Sequence, residues 1–520
     1  MQTIFDTCTP RDEVRRGALS EDMFAARLRD VMDGKADEVY QNPDRFFANS
    51  YPTDGLRTLL SEVLGRVTGQ APTSSPILRL ETSFGGGKTH NLIALYHTAT
   101  GHAPPQALQR FGLGSARLPD PGEVLVAGVV GSDLDPSNGM THPADGVTTY
   151  TLWGELAYQL GGAAGFALAA NSDRDRAAPG TALFEAIVGD RPTLIMIDEI
   201  ARHLRSASGV PTATGEGTLA DQTVAFLMTL MEFVASKQRV VLVLTMASDR
   251  DAFGKETAGL QGSLAEALKV SARQERVLTP TGENEIAAIV VHRLFERVDR
   301  NAVPAVVQRY GGYYHRLSEQ GASLHDRALR GDYLDEFKTS YPFHPELIRV
   351  LNLKVATIPN FQRTRGALRL LANVVRALWE EQPKNAWLIH PYHVDLSKPA
   401  IVEDLTSRLD RPKFKQVCEA DIVSPVLGIP SHAAEVDRPL LASGKPPYAR
   451  RLATTILLHS LTQGIASGVE APELLLATLT PTEKDGDDPA VAGRALERLY
   501  QTAWFLEYDG FRYRFKTEPS

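Results

Sequence analysis

The sequence predicts an α/β protein with a doubly wound parallel sheet, a helical region after it, and a terminal region of helices and a hairpin. Between residues 71 and 280, short apolar runs alternate with stretches of helical spacing, which is typical of a parallel sheet with crossover helices. Helical spacing dominates from residue 281 onward. Near the end, Asp509-Gly510 separates two alternating apolar runs, which is a strong hairpin signal.

Length and composition indicate a protein of several domains. The chain has 520 residues, which exceeds a single hydrophobic core. We predict a helical segment over 1–70, a sheet core over 71–280, a helical lid over 281–400 and a winged-helix domain over 401–520. The apolar fraction is 43%, the charged fraction 23% and the formal charge −8, which argues against a chain that coats nucleic acid along its length.

Cysteine usage and the amino terminus indicate the compartment. Cys8 and Cys418 are the two cysteines, and their separation fits neither a disulfide framework nor a zinc site. Charged residues precede any apolar run at the amino terminus, unlike a signal peptide. No segment approaches the length of a membrane span. We therefore expect a cytoplasmic protein without a membrane partner.

The central motif, here called the glycine loop, follows the first predicted strand, at 77–80. Its residues are Thr82, Ser83, Phe84, Gly85, Gly86, Gly87, Lys88, Thr89 and His90. Glycines let the main chain approach a polyphosphate, and the N-terminus of the following helix favours anions. Lys88 can reach the β- and γ-phosphates of ATP, and the Thr89 hydroxyl can bind Mg²⁺. Thr82 stands where the usual phosphate-loop pattern has its first glycine, and the competing interpretation is a plain glycine turn before a helix.

A second motif, here called the acidic motif, consists of Asp198 and Glu199 after the apolar run at 194–197. Such a run predicts a buried parallel strand. Asp198 would hold Mg²⁺ directly or through water, and Glu199 would orient and deprotonate the attacking water. The competing interpretation, a buried strand followed by a solvated acidic turn, is weakened by the glycine loop upstream.

The other elements follow from capping and periodicity. Ser20 is predicted to cap a helix through Val31, and Thr53 a second helix whose apolar stripe runs from Leu56 to Val67. Further strands are predicted at 124–130 and 240–245, and further helices at 89–97, 151–160 and 219–236.

Arginines mark the start of one helix in the predicted lid: Arg363, Arg365 and Arg369. An arginine above a nucleotide can sense its γ-phosphate, but a solvated basic helix end explains these residues equally well.

The terminal region is predicted to hold helices at 447–463, 472–479 and 488–503 and then the hairpin, the pattern of a winged helix. Such domains often bind DNA through the third helix. Residues 441–520 contain nine lysines and arginines against ten aspartates and glutamates. The third helix offers Arg494 and Arg498. The hairpin adds Arg512, Arg514 and Lys516. Contact with a protein is therefore at least as well supported as contact with DNA.

With these residues in place, the chain resembles an AAA+ ATPase, nearest the initiator-like and STAND-like branches. The resemblance implies a P-loop NTPase core with ATP and Mg²⁺ as cofactors. It implies that Thr245 is the sensor-1 residue, with Ser248 as the alternative, and that Arg369 in Gly366–Arg369 is the sensor-2 arginine. It also implies a trans-acting arginine finger at Arg273 or Arg276, and hence a nucleotide-dependent homo-oligomer.

More narrowly, the stretch from Leu80 to His90 is similar to a prokaryotic family of large ATP-binding proteins long filed as a domain of unknown function. Its members lie in anti-phage defence clusters beside DNA methyltransferases and helicases, and are similar to the ATPase of the phage-growth-limitation and BREX systems. The resemblance implies ATP hydrolysis that drives assembly or remodelling of a defence complex. Family members are usually longer, so we expect an N-terminal fragment. The alternatives are an ATP-locked scaffold with little turnover and a DNA translocase motor.

Overall fold

The chain divides into two compact units. The computed structural model describes residues 2–18, 26–82, 87–247, 275–278, 285–358, 361, 364–482, 484 and 486–519. One unit, here called the sheet unit, spans residues 25–285, and the other, the helical unit, combines residues 1–24 with residues 286–520. This division differs from the four predicted segments: the first residues belong with the helical unit, and the predicted lid and terminal domain share one compact body.

The sheet unit contains a five-stranded parallel sheet, which agrees with the predicted α/β class. Its strands are β1 (Ile77–Thr82), β2 (Leu125–Val130), β3 (Thr193–Asp198), β4 (Val240–Ala247) and β5 (Glu275–Leu278). They lie in the order β2-β3-β4-β1-β5, with every neighbouring pair parallel. The chain leaves β1 toward β2 and leaves β4 in the opposite direction toward β5. The junction of β1 and β4 is therefore a topological switch point, where ligands bind at the carboxyl ends of strands in such sheets.

Successive apolar residues of each strand direct their side chains to opposite faces of the sheet, so both faces are apolar. Ile195 and Ile197 of β3 pack into one buried cluster and Leu194 and Met196 into the other. On the first face lie the helices Leu152–Asp175, Thr181–Val188, Ile200–Ala207 and Leu219–Ser236. On the second face lie Leu28–Met32, Pro43–Ala48, Asp54–Val67 and Lys88–Ala99. Burial on both faces explains why these strands are continuous apolar runs.

The predicted helices of the sheet unit are present, but the one predicted at 151–160 spans Leu152–Asp175 and therefore ends fifteen residues later than predicted. The Thr53 hydroxyl accepts a hydrogen bond from the Leu56 N–H at 3.1 Å, so Thr53 caps Asp54–Val67 as predicted. Ser20 lies outside the described residues, but Ala26 and Arg27 are not helical and a helix begins only at Leu28, so the predicted continuous helix from Ser20 through Val31 is wrong at that point. The helix Leu219–Ser236 has the predicted bounds.

One helix in the described part of the chain has the length and hydropathy of a membrane span, contrary to the sequence-based expectation that no segment approaches one. This is Leu219–Ser236, and 56% of its span is buried inside the protein. Phe226, Leu227 and Leu230 are fully buried in the core cluster on one face of the sheet. Its apolar character is therefore explained by packing against β4 and β1.

The helical unit is held together by one large apolar core. Its longer helices are Ile286–Leu294, Val303–Glu319, Gly331–Ser340, Pro345–Leu353, Thr364–Glu381, His432–Ala442, Tyr448–Ser460, Ala471–Thr478 and Pro489–Thr502. The strand Cys8–Pro10 pairs antiparallel with Phe295–Val298, which ties the amino terminus to this unit.

The terminal region has the predicted order of elements: three helices followed by a hairpin. The hairpin strands, Leu506–Tyr508 and Arg512–Phe515, pair antiparallel, and Val469–Glu470 pairs with the second of them to complete a three-stranded sheet. Gly510 has φ +92°, a conformation that glycine adopts without steric cost.

Candidate functional site

The glycine loop connects β1 to the helix Lys88–Ala99. Thr82 is the last residue of β1, and Ser83, Phe84, Gly85 and Gly86 lie outside the described residues. Gly87 precedes the helix with φ +80°, and its carbonyl accepts from the Asn91 N–H at 3.0 Å. Lys88 and Thr89 therefore occupy the first turn, where main-chain N–H groups lack intrahelical acceptors and the helix dipole is positive.

Lys88 reaches across to the neighbouring strand. Its Nζ donates to the carbonyl oxygen of Met246, near the carboxyl end of β4, at 3.1 Å. β4 lies directly beside β1 in the sheet. The ammonium group is therefore held at the switch point between these strands.

Asp198 joins the glycine loop to the acidic motif. It is 2% exposed, and its Oδ2 accepts from the Thr89 hydroxyl at 3.0 Å. Its Oδ1 accepts from the Thr245 hydroxyl of β4. Burial raises the pKa of Asp198, while hydrogen bonds from Thr245 and Thr89 and the charge of Lys88 oppose that rise. The start of the helix Lys88–Ala99 and the carboxyl ends of β3 and β4 thus meet at one carboxylate.

Thr245 also fixes the main chain of Glu199. Its Oγ1 accepts from the Glu199 N–H at 3.0 Å, so one buried hydroxyl serves both residues of the acidic motif. Glu199 has φ +52° and ψ 38°, a left-handed conformation that is uncommon outside glycine, and it precedes the helix Ile200–Ala207. Such strained residues cluster at functional sites. The Glu199 side chain is about one-third exposed and pairs with Arg202 at 3.4 Å.

Gly131, which the sequence analysis did not identify as a site residue, packs closely against the main chain of Glu199. It follows β2, and a Cβ at this position would lie 2.2 Å from the carbonyl oxygen of Glu199. A glycine is therefore required for β2 and the acidic motif to approach each other. In the sequence, Gly131-Ser132-Asp133 follows the apolar run of β2, as Asp198-Glu199 ends the run of β3. A single glycine after a strand is common, however, so this pattern alone did not indicate a functional residue.

The His90 side chain is directed toward neighbouring helices in the sheet unit. Its Nε2 shares a hydrogen bond with the Ser50 hydroxyl at 2.8 Å, and its ring stacks on Phe46 with centroids 4.5 Å apart. Among the predicted loop residues, His90 can therefore contribute its main-chain N–H more readily than its ring.

The predicted arginines are in different positions. Arg273 and the sensor-1 alternative Ser248 lie outside the described residues. Arg276 belongs to β5 and forms an ion pair with Glu62 of its own unit.

Arg369 lies in the helical unit and donates from Nε to Asp404 at 2.8 Å. Asn373 and Arg408 bind the same carboxylate. Burial raises the pKa of Asp404, and the charge of Arg369 opposes that rise. Gly366 faces the carbonyl of Phe361, from which a Cβ would lie 1.9 Å away. Gly366 and Arg369 thus make their described contacts within the helical unit, and the sensor-2 role of Arg369 stays a prediction.

The fold and the site together define a mixed α/β protein with polar side chains gathered at the carboxyl edge of a parallel sheet. The DUF499 N-terminal domain matches residues 5–268, and the DUF499 second domain matches residues 281–476. These matches cover more than half of the chain, so the chain belongs to the DUF499 family, whose function is uncharacterised. A comparison with curated proteins gave no match.

Proposed function

We propose that the sheet unit binds ATP with Mg²⁺ and hydrolyses it. The observation that carries this proposal is the convergence of Thr89, Thr245 and Lys88 on the buried carboxylate Asp198 at the switch point between β1 and β4. This edge combines a helix N-terminus, which favours phosphate, with oxygen ligands of the kind Mg²⁺ prefers.

The phosphate end of ATP would be held by main-chain N–H groups at the start of the helix Lys88–Ala99 and by Lys88. A lysine ammonium has three donors, so Lys88 can keep the Met246 carbonyl while it donates to a β- or γ-phosphate oxygen. Its position is thus set by the neighbouring strand before the nucleotide binds, which reduces the ordering cost of binding.

Thr89 and Asp198 fit a magnesium site. Their oxygens lie 3.0 Å apart, and adjacent ligands of an octahedral ion with bonds of about 2.1 Å are separated by about the same distance. When bound, Mg²⁺ would neutralise charge on the β- and γ-phosphates. Thr245 would keep Asp198 oriented through the other carboxylate oxygen.

Glu199 would act as the general base. It would accept a proton from a water molecule as that water attacks the γ-phosphorus, and the bond to the β-phosphate oxygen breaks to leave ADP and inorganic phosphate. The Thr245 hydrogen bond and the contact with Gly131 hold the Glu199 main chain in position. The partly exposed carboxylate is accessible to water.

For the cell, we propose that nucleotide turnover drives assembly or remodelling of an anti-phage defence complex in the cytoplasm. This step rests on the resemblance of the glycine loop and on membership of the DUF499 family. Partners of the methyltransferase or helicase class and a nucleotide-dependent homo-oligomer would follow. The acidic Glu199 favours hydrolysis over an ATP-locked scaffold. A DNA motor is less well supported, because Arg514 and Lys516 of the hairpin are paired with Glu507.

ATP binding and ATPase rate, measured on the same variants, test the proposal. Lys88→Ala should abolish ATP binding, because it removes the cation that faces the phosphates. Glu199→Gln should retain binding and lose turnover by roughly 10²- to 10⁴-fold, as expected for a lost general base. Lys35→Ala and Glu216→Gln are matched controls, since both residues are exposed in the same unit, and they should behave as wild type.

Normal ATP affinity in Lys88→Ala, or wild-type turnover in Glu199→Gln, would overturn these assignments. Assembly has its own test: if Arg273 or Arg276 acts in trans, specific activity should rise with protein concentration. An Arg273→Ala, Arg276→Ala double variant mixed with Glu199→Gln should then regain activity. Activity that is independent of concentration, without rescue on mixing, would leave a self-sufficient site.

A further inference from the structure

The hairpin of the helical unit forms one wall of an open groove, here called the hairpin groove. The groove has a volume of about 1190 Å³ and lies between residues 410–414, 460–470 and 509–518. This volume exceeds the range of typical small-molecule pockets, about 300–1,000 Å³. Two large apolar side chains in its lining are mostly exposed, Ile465 at 93% and Phe511 at 77%. Exposed apolar side chains that cluster in a concave site are typical of a binding surface.

The hairpin holds Phe511 and its neighbour Arg512 in fixed positions. The Asp509 carboxylate accepts from the Phe511 N–H at 3.0 Å and from the Arg512 N–H at 2.8 Å. Asp509 is in turn paired with Arg514. Phe511 is therefore presented on an ordered turn, so less conformational entropy is lost when a partner binds to it.

Three cations of the groove lack a carboxylate partner among the described residues: Arg411, Lys413 and Arg512. Arg411 donates to the carbonyl of Asp410, and Arg512 donates to the carbonyl of Ile465. By contrast, Arg514 and Lys516 are already paired with carboxylates of the hairpin. The first three are therefore available to carboxylates of a partner.

Carboxylates in the same lining count against a nucleic acid as the occupant. Asp410, Glu470 and Glu518 also line the groove, so its lining is mixed in charge: a strand with a charge at every nucleotide would meet these carboxylates, whereas a segment whose charges are separated by apolar residues need not. Single-stranded nucleic acids bind to grooves whose charge is predominantly positive. Aromatic and arginine side chains within a mixed-charge rim are instead enriched at protein–protein contacts.

We propose that the hairpin groove binds an extended segment of a partner protein in which apolar and acidic residues alternate. The apolar side chains of the segment would pack on Phe511 and Ile465, and its carboxylates would pair with Arg411, Lys413 and Arg512. The proposal does not depend on ATP hydrolysis, since every residue that carries it belongs to the helical unit.

Fluorescence anisotropy with the full chain tests this proposal. The probe is a fluorescein-labelled twelve-residue peptide of repeating leucine, phenylalanine and aspartate, compared with a peptide that has lysine in place of aspartate. The acidic peptide should bind at least about tenfold more tightly than the lysine peptide. Phe511→Ala and Arg512→Gln should each weaken binding about tenfold, as expected for central contact residues.

Leu427→Ala and Arg494→Gln are matched controls, because both residues are exposed in the same unit and outside the groove lining, and neither should change the affinity. Lys88→Ala should bind the acidic peptide normally, which separates this proposal from the one on ATP. Equal affinity for both peptides, no binding of either, or no effect of Phe511→Ala would overturn it. Binding of a labelled twenty-nucleotide dT strand that Phe511→Ala removes would assign the groove to nucleic acid and also overturn it.

Discussion

Two buried carboxylates, Glu346 in the helical unit and Asp198 in the sheet unit, are satisfied in different ways. In the helical unit, Glu346 is 1% exposed. Its carboxylate accepts hydrogen bonds from Nε and Nη2 of Arg327, at 2.7 and 3.1 Å, and from the Tyr333 hydroxyl at 2.9 Å. In the sheet unit, Asp198 is equally buried, yet its side-chain donors among the described residues are the hydroxyls of Thr89 and Thr245. One carboxylate has a full counter-charge, and the other has neutral donors.

This difference indicates a structural role for Glu346, whereas Asp198 is suited to binding a cation. A buried charge is costly unless it is paired, so a guanidinium beside Glu346 makes that site complete. Burial raises the pKa of Glu346, and its contacts with Arg327 oppose the rise. At Asp198 the same requirement is met only in part, and a divalent cation would complete it. The comparison therefore supports the proposal that the sheet unit carries the chemistry, and it gives the contact between Arg327 and Glu346 a stabilising role.

The largest expected effect is on stability, in Arg327→Met. This change leaves Glu346 buried without its counter-charge and should lower the free energy of unfolding by about 3–5 kcal/mol. Urea denaturation measures the loss, with Arg330→Met as the control because that side chain is exposed on the same segment. ATP affinity below the urea transition should be unchanged, and an equal loss of ATP affinity would contradict the division of roles between the units.

The next effect is on turnover, in Thr245→Val. This change keeps the side-chain shape but removes the hydroxyl that binds both Asp198 and the Glu199 N–H. A lost buried hydrogen bond of about 1–3 kcal/mol should lower kcat by roughly 5- to 150-fold, with little change in the KM for ATP. The control is Thr223→Val, since that hydroxyl is equally buried but donates to the Leu219 carbonyl in a helix. Equal loss of kcat in both variants would reduce Thr245 to a packing role.

The smallest effect is expected from Arg202→Ala. Its ion pair with Glu199 joins side chains that are 45% and 34% exposed, and such pairs contribute about 0–1 kcal/mol. Thermal unfolding should therefore shift little, and Arg202→Lys should match wild type. A destabilisation as large as that of Arg327→Met would show that this exposed ion pair contributes more to the free energy of unfolding than such pairs usually do.

The sheet was predictable because burial on both faces makes each strand a continuous apolar run. The positions of Asp198 and Thr245 followed from the same logic, since both residues lie at the carboxyl ends of those strands. Gly131 was missed because its importance depends on a contact with Glu199 that only the fold brings about.

The ion pairs and strand pairings within the helical unit also could not be predicted from the sequence. Arg369 matched a sensor pattern, but its partner Asp404 lies 35 residues further along the chain and nothing local indicates the pair. Likewise, the strand Cys8–Pro10 joins the helical unit through residues almost three hundred positions away. Local periodicity specifies elements, whereas such distant pairings depend on the packing of the whole unit.

The most direct test of the central claim is the Mg²⁺ dependence of ATP binding at Asp198. Isothermal titration of a non-hydrolysable ATP analogue, with Mg²⁺ and with a chelator, should show that wild type loses at least about tenfold in affinity without the metal. Asp198→Asn should bind weakly under both conditions, because it lacks the carboxylate that would hold the ion with Thr89. Wild-type affinity that is the same with and without Mg²⁺, or an Asp198→Asn variant that keeps the full metal dependence, would contradict the account.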